Sequence, residues 1–517
     1  MSTALRACLI PLTLYAEVTF GFQYYEEPEP TPYLADIGPP PSCDYIIDTP
    51  AKWSQINSSS YRVFCVAPGD YTSVGKISLT ANGTADTRRW IRLYDASKPN
   101  DTTHPYHLDF ADRAIIRNLY ITGDYWTIHR MSLDMTGGRS DTHLALLNNA
   151  DHVIFDRVDA KNFPAGITFF NGASYGVVQK STLHDNVIGY DAAAVQLHSW
   201  NYDGNHPVAN CQFNRVVSNE IWNVGDGFQS IGGPNSNPEE DYRGTVIYNN
   251  DIYLSADRYT NCRNVLDPVG LCGYAENAID IKSASDSAAE PFVIAHNRMW
   301  GFRFPDPAKA QFSDHGAAAI AHSLTRNLHF KGNILWDAPI LFGAGGDTHF
   351  NLIMSGNLFH SPSLRSWTSW GGDRATTTSL AIGFRPQNVL IADNVFSEIA
   401  GGRREAYLIL EPLASASADE MSFVDNVFID ADAARSVTND WTVTIAGNEY
   451  YGSQVPPWET NALINQPSAT GSVYDNEFCT AIKRITNPTQ KCFPLSVHSA
   501  ARSAPIPAPG NLRPGNP

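Results

Sequence analysis

The segment ENAIDIKSAS, residues 276–285, combines acids and an amine with apolar residues. Ile279 and Ile281 have the two-residue spacing of a β-strand that buries one face. Asp280 and Lys282 then lie side by side on the opposite face, away from the core. Neighbouring charges tune the pKa of a lysine, and carboxylates close together hold a cation. The segment is therefore the first candidate for catalytic or metal-binding chemistry.

Two other segments, AAVQLHS and AAAIAHS, have the same form as NAIDIKS. Each alternates small or apolar residues and ends in a basic residue followed by Ser, so these three basic residues occupy equivalent places on different strands. A residue two positions earlier shares the outward face. The intervening segment GDGFQSIGG adds an acid and an amide on or near it. The residues expected on this face are Gln196, His198, Asp226, Gln229, Asp280, Lys282 and His322.

These residues form a column if the strands stack, because neighbouring strands lie about 4.8 Å apart. The alternative is a solvated stripe without a function, since outward faces are ordinarily wet. The mixture of imidazole, amide, carboxylate and amine favours a functional surface.

A repeated asparagine indicates the elements that carry this column. Each follows a β-run and precedes a mostly apolar stretch, and the separations vary from the low twenties to the high forties. That drift is typical of a solenoid with loops of variable length. Because helical spacing is absent, we expect a right-handed parallel β-helix of roughly a dozen coils. The asparagines are Asn186, Asn219, Asn250, Asn297, Asn333, Asn357, Asn394, Asn426, Asn448 and Asn476.

Asparagine suits a bend because it tolerates left-handed backbone angles, and stacked bends would join their amides in a hydrogen-bonded ladder. A β-propeller is the alternative architecture. Its blades would be more uniform in length and joined by tight hairpin turns, so the varied spacing favours the β-helix.

The chain of 517 residues divides by composition. We expect the β-helix over residues 43–500 and a flexible proline-rich tail over 501–517. Residues 17–42 are rich in proline and acid, which predicts a linker or a strap across the body. Residues 1–16 hold an apolar run after Arg6, which predicts either a short export signal or an uncleaved attachment segment, as on a virion.

The net charge of −17 and the pI of about 5.3 argue against a nucleic-acid partner. No apolar run is long enough to span a bilayer. Among the eight cysteines, proximity suggests the pairs Cys43 with Cys65, Cys262 with Cys272, and Cys479 with Cys492. Disulfides predict an extracellular or periplasmic location, whereas eight reduced thiols are the alternative.

The early segment FCVAPGDYTSVGKISLTANGTADTRRWIRLYDA resembles the opening coils of the alginate lyase and chondroitinase B family of polysaccharide lyases. The matching pieces are PGDY at 68–71, GT at 83–84 and WIRL at 90–93. In that family a strand ending in Lys-Ser carries the catalytic base, and the next equivalent strand carries a basic partner. ENAIDIKS followed by AAAIAHS resembles this order.

The resemblance implies β-elimination on a uronate-containing glycan, with Lys282 as the base. His322 stands where the family has an arginine, and as a histidine it can donate a proton. The calcium-binding acids of the family match best to Asp226, Glu276 and Asp280. A lysine acts as a base only when neutral, and Asp280 alone favours the charged form, so this mechanism requires Ca²⁺ or another cation nearby.

Four further residues are candidates for substrate contacts. Arg303 and His315 lie in segments that would form rims of the groove, with surface turns as the alternative. Trp367 and Trp370 lie near arginines in a long insertion, which suits a wall that stacks sugar rings. The alternative for the insertion is a loop packed on a neighbouring coil.

Three functions compete for this scaffold. The first is an exported lyase acting on an anionic polysaccharide. The second is a glycoside hydrolase, which would need two carboxylates such as Asp226 and Asp280 facing each other across a groove. The third is a glycan-binding or structural spike without activity, for which an uncleaved N-terminus and a trimer would be expected. The sequence does not distinguish a monomer from a trimer.

Overall fold

A computed structural model gives the fold, and all described residues belong to one compact unit, Glu29–Ser468. The structure describes residues 33–94, 113–136, 143–185, 193–199, 209–231, 240–254, 277–302, 317–322, 325–336, 340–344, 350–360, 365–367, 374–382, 387–397, 404–409, 420–429, 435–436, 442–451, 459 and 463–464.

The described strands form three long sheets, and every pairing along them is parallel. Successive strands of the chain visit the three sheets in turn, so each coil adds one strand to each sheet. This is the right-handed parallel β-helix predicted from the asparagine repeat, and the β-propeller alternative is wrong.

Sheet 1 contains the strands Tyr45–Ile47, Val63–Val66, Arg89–Leu93, Trp126–His129, Ile154–Asp156, Val177–Gln179, Arg215–Val217, Val246–Tyr248, Phe292–Ala295, Arg326–Lys331, Phe350–Ser355, Gln387–Ala392, Glu420–Val424 and Thr442–Ala446. Sheet 2 contains Gly69–Asp70, Ala114–Ile116, Ser132–Asp134, Asp159–Lys161, Thr182–His184, Glu220–Trp222, Asp251–Tyr253, Arg298–Trp300, Ile334–Trp336, Leu358–His360, Val395–Ser397, Val427–Ile429, Glu449–Tyr451 and Leu463–Ile464. Sheet 3 contains Lys76–Leu79, Asn118–Ile121, His143–Asn148, Ala165–Phe170, Ala193–His198, Asp226–Ile231, Asn277–Ile281, Ala317–His322, Ile340–Ala344, Arg374–Ile382, Arg404–Ile409 and Arg435–Ser436.

Short elements complete the description. The strand Arg365–Trp367 pairs antiparallel with Arg374–Ile382 at the side of sheet 3. Two 3₁₀-helices, Pro50–Gln55 and Thr72–Val74, flank the first coil. Over the described ranges, no helix has the length and apolar character needed to cross a membrane.

The core fills the space enclosed by the sheets. In sheet 3, for example, Val195, Phe228 and Ile279 point inward, stack in register on successive coils and are fully buried. A single strand cannot bury such side chains, so the apolar stack is formed only when coils pile on one another.

The predicted asparagine ladder is present at the bend from sheet 1 to sheet 2. From Asn219 to Asn448, the side-chain Nδ2 of each ladder asparagine donates to Oδ1 of the next, over 2.8–3.0 Å. Asn448 Nδ2 then donates to Glu459 Oε1 over 3.1 Å. The ladder is fully buried, so its amides satisfy backbone groups that solvent cannot reach. Asn186 and Asn476 lie outside the described residues.

The backbone angle at this bend corrects one detail of the prediction. The left-handed conformation belongs to the residue before each ladder asparagine, not to the asparagine itself. Several of these residues are glycine, as at Gly332 and Gly356, and others are Asp, such as Asp393 and Asp425. The sharp turn is therefore made one residue earlier, which leaves the asparagine side chain free to point inward along the stack.

The described end of the proline-rich segment lies across the outer face of sheet 1. We call residues 33–43 the strap. Ala35 N donates to Gln179 Oε1 over 2.8 Å, and Arg215 Nη1 donates to the Tyr33 carbonyl over 3.2 Å. At its other end, Cys43 forms a disulfide with Cys65, as predicted. The strap thus connects the first coils with coils much further along.

The remaining predicted cysteine pairs lie outside the described residues. Cys211 is a buried free thiol that precedes the strand Arg215–Val217.

Candidate functional site

The polar column predicted on sheet 3 exists in register. Gln196 pairs with Gln229, Gln229 with Asp280, and the next coil places Ile320 beside Asp280. Their inward neighbours belong to the core, so these side chains project from the outer face. The strands therefore bring an amide, a second amide and a carboxylate together on three consecutive coils.

A chain of hydrogen bonds joins this column. Gln196 Nε2 donates to Gln229 Oε1 over 2.7 Å. Gln229 Nε2 in turn lies 3.1 Å from Oδ2 of Asp226 and 3.1 Å from Oδ2 of Asp280. The Gln229 amide thus bridges the carboxylates of Asp226 and Asp280. Asp226 is also held by the backbone, because Asn277 N donates to Asp226 Oδ1 over 3.0 Å.

Solvent does not reach this column. Asp226 and Asp280 are 0% exposed, and Gln229 is 3% exposed. The solvated-stripe alternative is therefore wrong for these residues. Strand alternation predicts which face a side chain takes, but it does not predict whether that face is covered. Gln229, which itself accepts a hydrogen bond from Gln196, holds both acids in place.

Lys282 is the accessible member of the group. Its Nζ lies 3.0 Å from Asp280 Oδ2, and its side chain is 33% exposed. A buried carboxylate at this distance stabilises the ammonium form. The structure thus presents a fixed positive charge at the surface, supported from beneath by the acid and the amides.

The predicted calcium site has to be judged from Asp226 and Asp280, because Glu276 lies outside the described residues. Gln229 directs an N–H group at both carboxylates, where calcium would need oxygen ligands. Within the described ranges, no group of three or more His, Cys, Asp or Glu residues is arranged to hold a metal ion. The two described acids alone do not fit calcium, and a site that includes Glu276 stays a prediction.

Two histidines occupy positions equivalent to Lys282. His198 pairs with Ile231, which lies one coil before Lys282, and Ala321 pairs with Ile281, so His322 lies one coil after it. His198 is partly buried, and burial, with a smaller effect of nearby His143, lowers the pKa of His198 to about 4. His198 is therefore neutral at neutral pH. Only the backbone position of His322 is described.

One histidine of this face was missed from the sequence. His143 Nδ1 lies 3.0 Å from Thr168 Oγ1, which is in register with Gln196. Burial lowers the pKa of His143 as well. Strict alternation in HLALLN groups His143 with Ala145 and Leu147, which face the core, so the pattern did not signal this contact. The segment also lacks the final basic residue and Ser by which the other three were aligned.

The remaining candidates are not brought to this group by the described structure. Trp367 lies in the strand Arg365–Trp367, whose partner Arg374–Ile382 is three strands away from Asn277–Ile281 in sheet 3. Arg303, His315 and Trp370 lie outside the described residues.

No family model and no curated protein sequence matches this chain. Among solved structures, an alginate lyase from Paenibacillus sp. str. FPU-7 is 16% identical, with a TM-score of 0.41 over 60% of this chain and 94% of the lyase. A mannuronic acid specific polysaccharide family 6 lyase from human gut microbiota is 13% identical, with a TM-score of 0.39 over 82% of each chain.

The tailspike protein of E. coli bacteriophage HK620, in complex with a pentasaccharide, is 12% identical. Its TM-score is 0.43 over 81% of this chain and 64% of the tailspike. At these identities, residue roles have to be inferred from the chemistry of this chain itself.

Proposed function

We propose that this protein is an exported enzyme that binds a uronate-containing glycan on sheet 3 and cleaves it by β-elimination. The observation that carries the proposal is the partly exposed ammonium of Lys282, held 3.0 Å from the fully buried carboxylate of Asp280. A surface cation supported in this way is suited to pair with the carboxylate of a sugar.

Elimination on a uronate removes the C5 proton, and the carboxylate must be neutralised as the enolate develops. We assign this neutralisation to Lys282, because its ion pair favours the charged form over the neutral form that a base requires. This changes the role expected from the family resemblance, in which the lysine is the base.

His322 is the proposed base. It lies one coil from Lys282, and adjacent coils are roughly 4.8 Å apart, which suits a proton on the same sugar as the carboxylate. Its imidazole takes the C5 proton, the C4–O bond breaks, and a C4–C5 double bond forms. The leaving oxygen takes up a proton from the imidazolium, so charge and atoms balance. His198 lies two coils from Lys282 and suits contact with a neighbouring sugar.

The glycoside hydrolase alternative is less favoured. Such an enzyme places two carboxyl groups on either side of the scissile bond. Asp226 and Asp280 are instead fully buried and bridged by the same amide of Gln229. In this position they support the site from beneath.

Export is part of the proposal. The Cys43–Cys65 disulfide favours an oxidising compartment, either extracellular or periplasmic. The virion surface is a third compartment compatible with a disulfide.

The test is a panel of uronate polysaccharides incubated with the protein, with calcium or with chelator. The ultraviolet absorbance of the unsaturated product reports elimination, and a reducing-end assay reports any cleavage. We expect absorbance that grows with wild-type protein and is lost in Lys282→Ala and His322→Gln. Lys52→Ala, which changes a surface lysine on a 3₁₀-helix, is the matched control.

New reducing ends without absorbance would establish hydrolysis instead. Glycan binding with neither an unsaturated product nor new reducing ends would indicate a glycan-binding spike without activity. Loss of activity on addition of chelator would support a calcium ion in the site, and Glu276→Gln would then be the variant to examine next.

A further inference from the structure

The outer face of sheet 3 differs in charge from the rest of this acidic protein. Its seven strands from Lys76–Leu79 to Asn277–Ile281 include only two acids, Asp226 and Asp280, and both are fully buried. In a chain with a net charge of −17, this is a face that a polyanion can approach with little repulsion. Sheet 2 is different in the same coils, where it carries Asp70, Asp134, Asp159, Glu220 and Asp251.

A continuous line of partly exposed residues follows this face along the helix axis. We call it the lane. Register pairs Asn148 with Phe170, Phe170 with His198 and His198 with Ile231, and the next coil continues to Lys282. All five are partly exposed, whereas the residues two positions earlier in the last four of these coils are buried. In those four coils the lane is therefore the part of the face that a ligand can touch.

A second lysine, Lys76, lies on this face at the end remote from Lys282. Lys76 is exposed, and its Nζ lies 5.7 Å from the centre of the Tyr120 ring, which keeps the ammonium near the sheet. Asn148 Nδ2 donates to the Tyr120 hydroxyl over 2.9 Å, and Asn171 Nδ2 donates to Asn148 Oδ1 over 3.2 Å. Tyr120 is thus fixed by a hydrogen-bonded pair of amides, beside an unburied positive charge.

We propose that the glycan lies along the helix axis and that Lys76, Tyr120 and Asn148 form a remote subsite for a second carboxylated sugar. Six strand steps separate the strand of Lys76 from the strand that precedes Lys282, which corresponds to roughly 29 Å. The ligand is therefore a polyuronate several sugars long, with one carboxylate at each cation. This inference rests on the proposed function, because it assumes that Lys282 binds a uronate.

The experiment measures binding against chain length. Mannuronate, guluronate and galacturonate oligomers from dimers to decamers are titrated calorimetrically into the His322→Gln protein, in which the proposed elimination is blocked. Affinity is expected to rise with length until an oligomer reaches Lys76. Adding Lys76→Ala is expected to weaken the longest oligomers by about tenfold and to leave the shortest unchanged. Lys52→Ala is the control for loss of one surface cation.

The outcomes separate the two proposals. If Lys282→Ala abolishes binding while Lys76→Ala has no effect at any length, the remote subsite is wrong and the proposed function stands. If Lys76→Ala weakens short and long oligomers equally, the charge acts only through the general field, and the subsite is again wrong. If no oligomer binds and none is cleaved, the proposed function itself fails.

Discussion

His184 shows how single residues connect the coils of this β-helix. Its Nε2 lies 3.1 Å from Asp159 Oδ1, its Nδ1 lies 2.8 Å from Asp185 Oδ2, and Arg113 binds the other oxygen of Asp159 over 2.8 Å. Burial lowers the pKa of His184, but the two carboxylates outweigh it, and the net pKa is raised above 6.5. When it is protonated, the imidazole therefore forms an ion pair that joins two coils of sheet 2.

This pKa predicts how stability depends on pH. A raised folded-state pKa contributes stability that is full below the unfolded value of 6.5 and disappears as pH rises through the folded value. We expect the free energy of unfolding of wild type to exceed that of His184→Gln by about 1 kcal/mol near pH 5.5, because the half-exposed side chain of Asp185 adds little. The difference should shrink toward pH 9. Chemical unfolding of both proteins across this range measures it, and a difference that grows with pH would contradict the assignment.

Asp280 and Lys282 show what residue patterns predict and what they do not. Alternation placed both on the outer face and next to each other, and the 3.0 Å contact agrees with that placement. The complete burial of Asp280 was not predictable, because it depends on what covers the sheet and on a bridging amide at Gln229, a coil away. For that reason we propose that Lys282 acts as a fixed cation and not as a base, which would have to be neutral.

The asparagine ladder joins the bends of successive coils. Asn333 illustrates its bonding, since its Oδ1 accepts from the backbone N and the side-chain Nδ2 of Asn297, each over 3.0 Å. Its Nδ2 donates to Asn357 Oδ1 and to the Ile294 carbonyl. One side chain thus satisfies buried groups on the coil before its own and on the coil after it.

Truncation of this asparagine should be costly. Asn333→Ala leaves a buried N–H of Asn297 and a buried carbonyl of Ile294 without partners, so we expect a loss of about 3 kcal/mol in the free energy of unfolding. Lys331 lies in the same coil but is partly exposed, so Lys331→Ala should change the free energy of unfolding by less than about 0.5 kcal/mol. Denaturant unfolding compares the two, and equal effects would show that the ladder does not stabilise the bend.

The repeat predicted the sheets and the ladder because both follow from local patterns that recur. A second stack was not predicted. The rings of Tyr125, His152, Tyr175 and Phe213 stack at 4.4–5.0 Å on successive coils, all with left-handed backbone angles. Tyrosine and phenylalanine rarely adopt these angles, so this turn could not be predicted from the residue types. Stacking between coils offsets the local strain.

The strap joins coils that lie far apart along the helix axis, whereas the strand pairings in the described parts of the chain join neighbouring coils. Tyr33 and Leu34 pack against an apolar patch of sheet 1 that includes Tyr248, while Ile37 packs against the patch at Cys65. Gln179 holds Ala35 and also donates to buried Asp156 over 2.8 Å. The disulfide fixes the end of the strap over the first coils.

Release of the strap should therefore lower stability. Closing a loop of about this size stabilises a protein by about 3 kcal/mol, so reduction of Cys43–Cys65 is expected to lower Tm by several degrees. The strap should also become sensitive to protease, whereas Cys43→Ala/Cys65→Ala should be sensitive with or without reductant. If the strap of reduced wild type stays as resistant to protease as before, its noncovalent contacts are enough to hold it on the sheet.

The most direct test of the proposed function is the rate of elimination by Lys282→Arg and Lys282→Ala on the best uronate substrate, followed by product absorbance. A fixed cation is replaceable by arginine, which stays charged, but not by alanine. We predict that Lys282→Arg keeps a measurable fraction of wild-type kcat/KM, while Lys282→Ala loses at least about a hundredfold. If arginine is as inactive as alanine although both variants are folded and bind the glycan, Lys282 is the base, and the assignment of charge neutralisation to it is wrong.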